Sequence, residues 1–196
     1  SLSIVKLDQG WFIHLMGLSI LMLGLQINAD LFQYHQDRLF VDPWRIWTAH
    51  LVHINFLHLV LNIAALWCLS LLFHPPHWGW FYSAGVVAAG CISLYINVYL
   101  PEYQYYRGLS GVLHGWYIGM AMWGIWQPPR RAQWFAAVIM IVLMVKVGAE
   151  QSGYWRATGQ MLEVDVLYDA HTIGLLSVMA FTFLWQMGVR LSKKGV

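Results

Sequence analysis

The apolar positions of this 196-residue chain fall in blocks rather than in alternation. Six blocks approach the ~20 residues that an α-helix needs to cross a bilayer. They cover roughly 11–27, 55–73, 78–100, 110–126, 134–148 and 170–191. A membrane barrel strand would show a shorter, alternating stretch, and none of the six does. The pattern predicts an all-α membrane protein, a single domain over 1–196 built as a six-transmembrane-helix bundle. The first block is too long and too aromatic for a signal peptide, and no small-residue cleavage site follows it, so it reads as a retained helix. The longest polar stretches are 28–54 and 151–169, the first and fifth connections.

Composition agrees with the pattern. Hydrophobic residues make up 59% of the chain and charged ones 10%, against about 25% charged in a soluble domain. A water-soluble core of this size could not hide so much apolar surface. Cys68 and Cys91 fall inside apolar blocks without metal-ligand spacing and read as small core residues.

Charge sets the expected orientation. Lys6, Arg130, Arg131, Arg190, Lys193 and Lys194 share one side of a six-pass topology, with Asp8 as the acid there. The other side holds Asp30, Asp37, Asp42, Glu102, Glu150, Glu163, Asp165 and Asp169 against Arg38, Arg45, Arg107 and Arg156. The positive-inside rule then places both termini in the cytoplasm. Trp44, Trp47, Trp78, Trp80, Trp126, Trp134 and Trp155 lie near block ends, as interfacial belts require.

Chemistry has to come from polar groups at membrane depth, which are costly there and mark function. Three sets stand out. His50, His53, Asn55, His58 and Asn62 lead into the second helix, and His58 and Asn62, four apart, share one face. Gly108-Leu109-Ser110-Gly111 with His114 opens the fourth helix, its glycines permitting close approach. Asp169-Ala170-His171 opens the sixth, where His171, Gly174 and Ser177 form one stripe of a residue with small neighbours. Each set alone has a plainer explanation: glycine–serine runs pack helices, a histidine at a helix start caps it, and His58 with Asn62 could tie helices together. All three, however, sit at helix ends on the same expected side, at a level that a shared cavity would require. From Ser110 to the break at Gln127-Pro128-Pro129 is 17 steps, or ~25 Å at ~1.5 Å each, against a ~30 Å hydrocarbon core. Ser110 would therefore lie several Å below the surface and need water from above.

In order and position, Trp44-Arg45, His50/His53/His58-x-x-x-Asn62, Gly108-x-Ser110-Gly111 and Ala170-His171-x-x-Gly174 resemble the motifs of the rhomboid intramembrane serine proteases, across nearly the whole chain. The resemblance implies a Ser110–His171 catalytic dyad that cleaves a substrate's transmembrane segment. The compact chain and the run 108–115 are most similar to the rhombosortase branch. Its substrates carry a C-terminal Gly-Gly, apolar helix and basic tail. That likeness implies a bacterial inner (cytoplasmic) membrane location, an active site open to the periplasm, and a single-pass partner with such a tail. No nucleic acid, cofactor or metal is expected. The chain departs from the family at His114, where a tyrosine usually stacks on the catalytic histidine, and at Ser177, often glycine.

A serine hydroxyl needs a neighbouring base, and an imidazole with a pKa near neutrality is suited to that task. Asp169 lies two residues from His171 and points elsewhere on a regular helix, so no acidic third member is expected. The oxyanion would be met by His58, the Asn62 amide and the Ser110 backbone N–H, the first two by resemblance and shared helix face. Leu109, Gly108, Gly111, His114 and Gly174 are expected close to the site. Lys146 and Glu150, four apart on the fifth helix, are expected to pair. Two alternatives differ in substrate or class: a general rhomboid protease acting on other single-pass proteins, and a haem or quinone protein using His14, His50, His58, His114 and His171.

Overall fold

A computed structural model describes residues 9–155, 159–160 and 166–193. Six long helices dominate it: α1 (Gln9–Gln26), α2 (Phe56–Leu72), α3 (Trp78–Tyr99), α4 (Ser110–Gly124), α5 (Arg130–Gln151) and α6 (Asp169–Lys193). Local chemistry sets their ends. Asn55 accepts from the His58 backbone N–H at 2.8 Å to cap α2, and His77 Nδ1 accepts from Gly79 N at 3.0 Å to cap α3. Prolines at 75–76 and 128–129 stand in the breaks before α3 and α5.

Lengths separate the helices into two groups. Trp78–Tyr99, Arg130–Gln151 and Asp169–Ser192 are long and apolar enough to cross a membrane, and Arg45–Leu51 with Phe56–Leu72 passes as a pair bent by 89°. The described part of α1 has 18 residues; α2 and α4 have 17 and 15, hence rises of ~26 and ~22 Å. These two fall short of the ~30 Å core. The expected fifth block, 134–148, gains a turn or so at its start and the stretch to Gln151 at its end. The charge pattern at Lys6, Asp8, Arg156, Glu163, Asp165 and Lys194 lies outside the described residues.

The shortest helix is the most enclosed. In α4, Gly111, Gly115 and Gly119 let α6 and α3 press against its backbone. A Cβ on Gly111 would stand 2.6 Å from the Ala170 carbonyl, and one on Gly115 would stand 2.7 Å from that of Gly174. At Gly174 a Cβ would collide with the Gly111 carbonyl. Small residues are what permit such backbone contact. On the other side of α4, the Trp116 ring stacks on Phe81 at 4.3 Å and its Nε1 donates to Phe81 O at 2.8 Å. By contrast α5 buries only Ala136, Val147 and Glu150 and exposes Val138, Ile141, Val142 and Val145.

The first connection is ordered by one guanidinium. Arg45, 3% exposed, donates from Nε to Asp42 (3.0 Å) and from Nη1 to the carbonyls of Asp30 (2.9 Å) and Gln33 (2.8 Å). It thereby satisfies carbonyls that a loop without a ladder leaves open. Strand β1 (Tyr34–His35) pairs antiparallel with β2 (Tyr105–Tyr106), Tyr34 opposite Tyr106. Arg107 donates to Gln33 Oε1 at 2.7 Å and pairs with Asp30, and Gly108 N donates to Ala49 O at 3.1 Å. The approach to α4 is thus fastened to the first connection. His50, for which the sequence suggests no role, joins the same loop to α3: its Nε2 lies 3.1 Å from Ala89 O and 3.2 Å from Ser93 Oγ. Cys68 is exposed on α2 rather than in the core, and Cys91 is half-buried.

Candidate active site

Ser110 is the first residue of α4, and the turn before it is unusual. Gly108 has φ +140°, a backbone conformation that side chains rarely adopt. A Cβ there would also stand 2.9 Å from His58 Cε1. Leu109 occupies the N-cap without a side-chain cap bond. An apolar cap leaves the first-turn backbone N–H groups, that of Ser110 included, free of side-chain acceptors.

The glycine contact between α4 and α6 sets the next distance. Ser110 Oγ lies 3.0 Å from His171 Nε2. His171 is 2% exposed. Its other nitrogen, Nδ1, lies 2.8 Å from Glu150 Oε2, and the Glu150 side chain is wholly buried. The expectation of a dyad without an acidic neighbour is therefore corrected: the carboxylate comes from α5, not from the helix that carries the histidine. A local search around Asp169 could not find it, because the approach of α5 to α6 is a tertiary event. The only sequence signal was a carboxylate inside an apolar helix.

His114 stands in the place that resemblance assigns to a stacking ring. Its plane lies 18° from that of His171, with centroids 4.1 Å apart. Its Nδ1 lies 2.7 Å from the Ser110 carbonyl, and its Nε2 lies 3.0 Å from Lys146 Nζ. Lys146 Nζ is also 2.5 Å from Glu150 Oε1, so the expected pair forms. His114, Glu150 and His171 offer ligand atoms within 4.8 Å of one another. The Lys146 ammonium, already seated against His114 and Glu150, opposes a divalent cation there. Nor does the stack accommodate a porphyrin between the two rings at 4.1 Å, and His14 is engaged elsewhere, with Tyr82 and Trp78.

His58 and Asn62 project from α2 into the same space and are 6% and 4% exposed. Asn62 Nδ2 donates to His58 O at 2.8 Å, which occupies one of its two protons. His58 Nδ1 has no hydrogen-bond partner among the described residues. A cavity of about 290 Å³ is bordered by His58, Asn62, Ser110, His114, Lys146 and His171. A wider one of about 690 Å³, bordered by Asp30, Gln33, Tyr105, Arg107 and Leu167, meets it at His58 and Ser110. Tyr106 on its wall is held well above the usual phenol range by burial, and its hydroxyl donates to Gly108 O at 3.1 Å. Gly111 and Gly174 lie at the helix contact, as described. Among the residues expected at the site, His58, Asn62, Ser110, His114 and His171 border the cavities, and Gly111 and Gly174 form the helix contact beneath them.

Comparison with protein-family models matches residues 41–187 to the Rhomboid domain. No curated protein matches the chain.

Proposed function

Since the chain belongs to the rhomboid family, we propose that it is an intramembrane serine endopeptidase with Ser110 as nucleophile and His171 as base. Family membership and its apolar helices make it a multi-pass membrane protein and support intramembrane proteolysis. One observation carries the assignment of roles: Ser110 Oγ within 3.0 Å of a buried imidazole nitrogen whose opposite nitrogen meets a carboxylate. Of the polar groups in the two cavities, these satisfy the geometric requirements for an activated nucleophile.

In the proposed attack, the Ser110 hydroxyl proton passes to His171 Nε2 as Oγ bonds to the scissile carbonyl carbon. His171 then protonates the leaving amine, and water releases the acyl group by the same route in reverse order. The oxyanion is met by the Ser110 backbone N–H, with His58 and the second Asn62 proton completing the pocket. The wider cavity supplies water from the side of the first connection. Six membrane-spanning helices, cytoplasmic termini and a site facing the periplasm of a bacterial inner membrane complete this reading. The substrate reaches Ser110 laterally between α2 and α5, with a Gly-Gly-containing tail as the preferred class; glycine weakens the helix that has to unwind by about 1 kcal/mol relative to alanine. Other single-pass substrates are the second reading, favoured by the width of the outer cavity.

A fluorophosphonate probe tests the assignment on detergent-solubilised protein. Labelling of wild type that vanishes in Ser110→Ala and His171→Ala is the expected result. Undiminished labelling of Ser110→Ala would sink it.

A further inference from the structure

Peptide-bond attack by a serine–histidine pair does not require the lysine that lies beside it. Lys146 Nζ contacts both Glu150 Oε1 (2.5 Å) and His114 Nε2 (3.0 Å). An ordinary i, i+4 ion pair lies on a helix surface. Here the carboxylate has 0% exposure, the lysine side chain 34%, and the second carboxylate oxygen faces His171 at 2.8 Å.

Donor and acceptor counting fixes where the protons are. An ammonium only donates, so it takes Oε1 and leaves Oε2 for the imidazole. A carboxylate only accepts, so His171 carries its proton on Nδ1 and presents the Nε2 lone pair to Ser110 Oγ. The same ammonium obliges His114 Nε2 to accept, which places the His114 proton on Nδ1, donated to the Ser110 carbonyl at 2.7 Å. Glu150 therefore fixes the tautomer of His171, the Ser110 carbonyl and Lys146 together fix that of His114, and these rings hold the two ends of one serine.

The geometry points to Lys146 and Glu150 as positioning residues that lock His171 in its base-competent tautomer, an inference that rests on Ser110 being the nucleophile. Glu150 acts on His171 directly. Lys146 acts by dictating which carboxylate oxygen is free. In Glu150→Gln the single amide oxygen is claimed by Lys146, and the amide NH₂ turns towards His171 Nδ1. The imidazole must then move its proton to Nε2, where it can no longer accept from Ser110. Removing the claim restores the base: in Lys146→Met/Glu150→Gln the amide is free to rotate its oxygen towards Nδ1. An ion pair that merely stabilised the fold would show no such rescue.

The experiment uses the full chain in detergent micelles, with ¹⁵N-labelled histidine for ring-nitrogen shifts and a fluorophosphonate for saturation labelling. Wild type is expected to show His171 protonated at Nδ1. Glu150→Gln shows it at Nε2, with the maximal labelling rate down about 10²–10⁴-fold, a range capped by the loss on disrupting this contact in serine proteases, and the probe concentration at half-maximal rate little changed. The double variant regains Nδ1 protonation and at least about tenfold of the labelling rate. Lys146→Met alone keeps His171 protonated at Nδ1, since the Glu150 carboxylate can only accept, a readout that stands even if Glu150→Gln folds poorly. The inference is overturned by a His171 tautomer unchanged in Glu150→Gln, by a double variant no faster than that single one, or by a His171 proton moved to Nε2 in Lys146→Met. Tautomers that switch as described in a wild type that takes no label would support the lock and overturn the nucleophile instead, so the two failures are distinct.

Discussion

Gly108 is constrained twice, by a φ of +140° and by the His58 ring where its Cβ would stand. Either constraint alone would disfavour alanine; together they place the cost at the entrance to the serine. Gly108→Ala is expected to cost about 1–3 kcal/mol in strain, seen as a melting point lowered by roughly 2–4 °C per kcal/mol. Its fluorophosphonate labelling should fall at least about tenfold, since displacement of ~1 Å at a reacting group has effects of that order or more. Gly17→Ala, in the interior of α1 where nothing lies within 4 Å, should lower neither and gain up to about 1 kcal/mol of helix stability. At the same scale His114 shows what a sequence leaves open. Its residue type announced a departure from the family, but whether it stacks depends on a side-chain rotamer and on Lys146, 32 positions away.

At the scale of elements, the α4–α6 crossing is the contact on which the Ser110–His171 distance depends. Gly174→Val should force the helices apart, costing about 1–3 kcal/mol as overpacking does, and abolish probe labelling. Gly188→Ala, on the same helix with open space around it, serves as the comparison in a thermal melt, where the melting point should not fall. This crossing was legible, because the stripe of His171, Gly174 and Ser177 and the glycines beside Ser110 announce close approach before any coordinates exist. The six long helices were legible for the same kind of reason, their apolar runs being interrupted by prolines and polar caps. What escaped was the acid. Glu150 sits four residues after Lys146, a spacing that a local ion pair explains fully, and nothing near it in sequence signals that one of its oxygens turns to a histidine on another helix. Helix ends escaped too: Arg130 and Gln151 extend α5 beyond its apolar stretch because polar residues can continue a helix once it leaves the hydrocarbon.

Across the whole molecule, Arg130, Arg131 and Arg190 lie towards the ends of helices opposite to those bearing Ser110 and His171. The proposed orientation follows, and cysteine accessibility checks it. With Cys68 and Cys91 replaced by serine, a membrane-impermeant maleimide should label Glu102→Cys in intact cells and Gln127→Cys only after lysis. The reverse pattern would invert the topology. The pairing of Lys146 with the buried Glu150 has an electrical consequence. At rest, Lys146 and Glu150 cancel; during attack, a positive imidazole and a negative oxyanion appear together and cancel as well. The proton crosses within an O···N separation of 3.0 Å, so its displacement is below a tenth of a ~30 Å core. A full charge crossing 100 mV involves ~2.3 kcal/mol, so this step feels less than about 0.2 kcal/mol. Bond cleavage in this protein should proceed at the same rate in an energised membrane as in a discharged one.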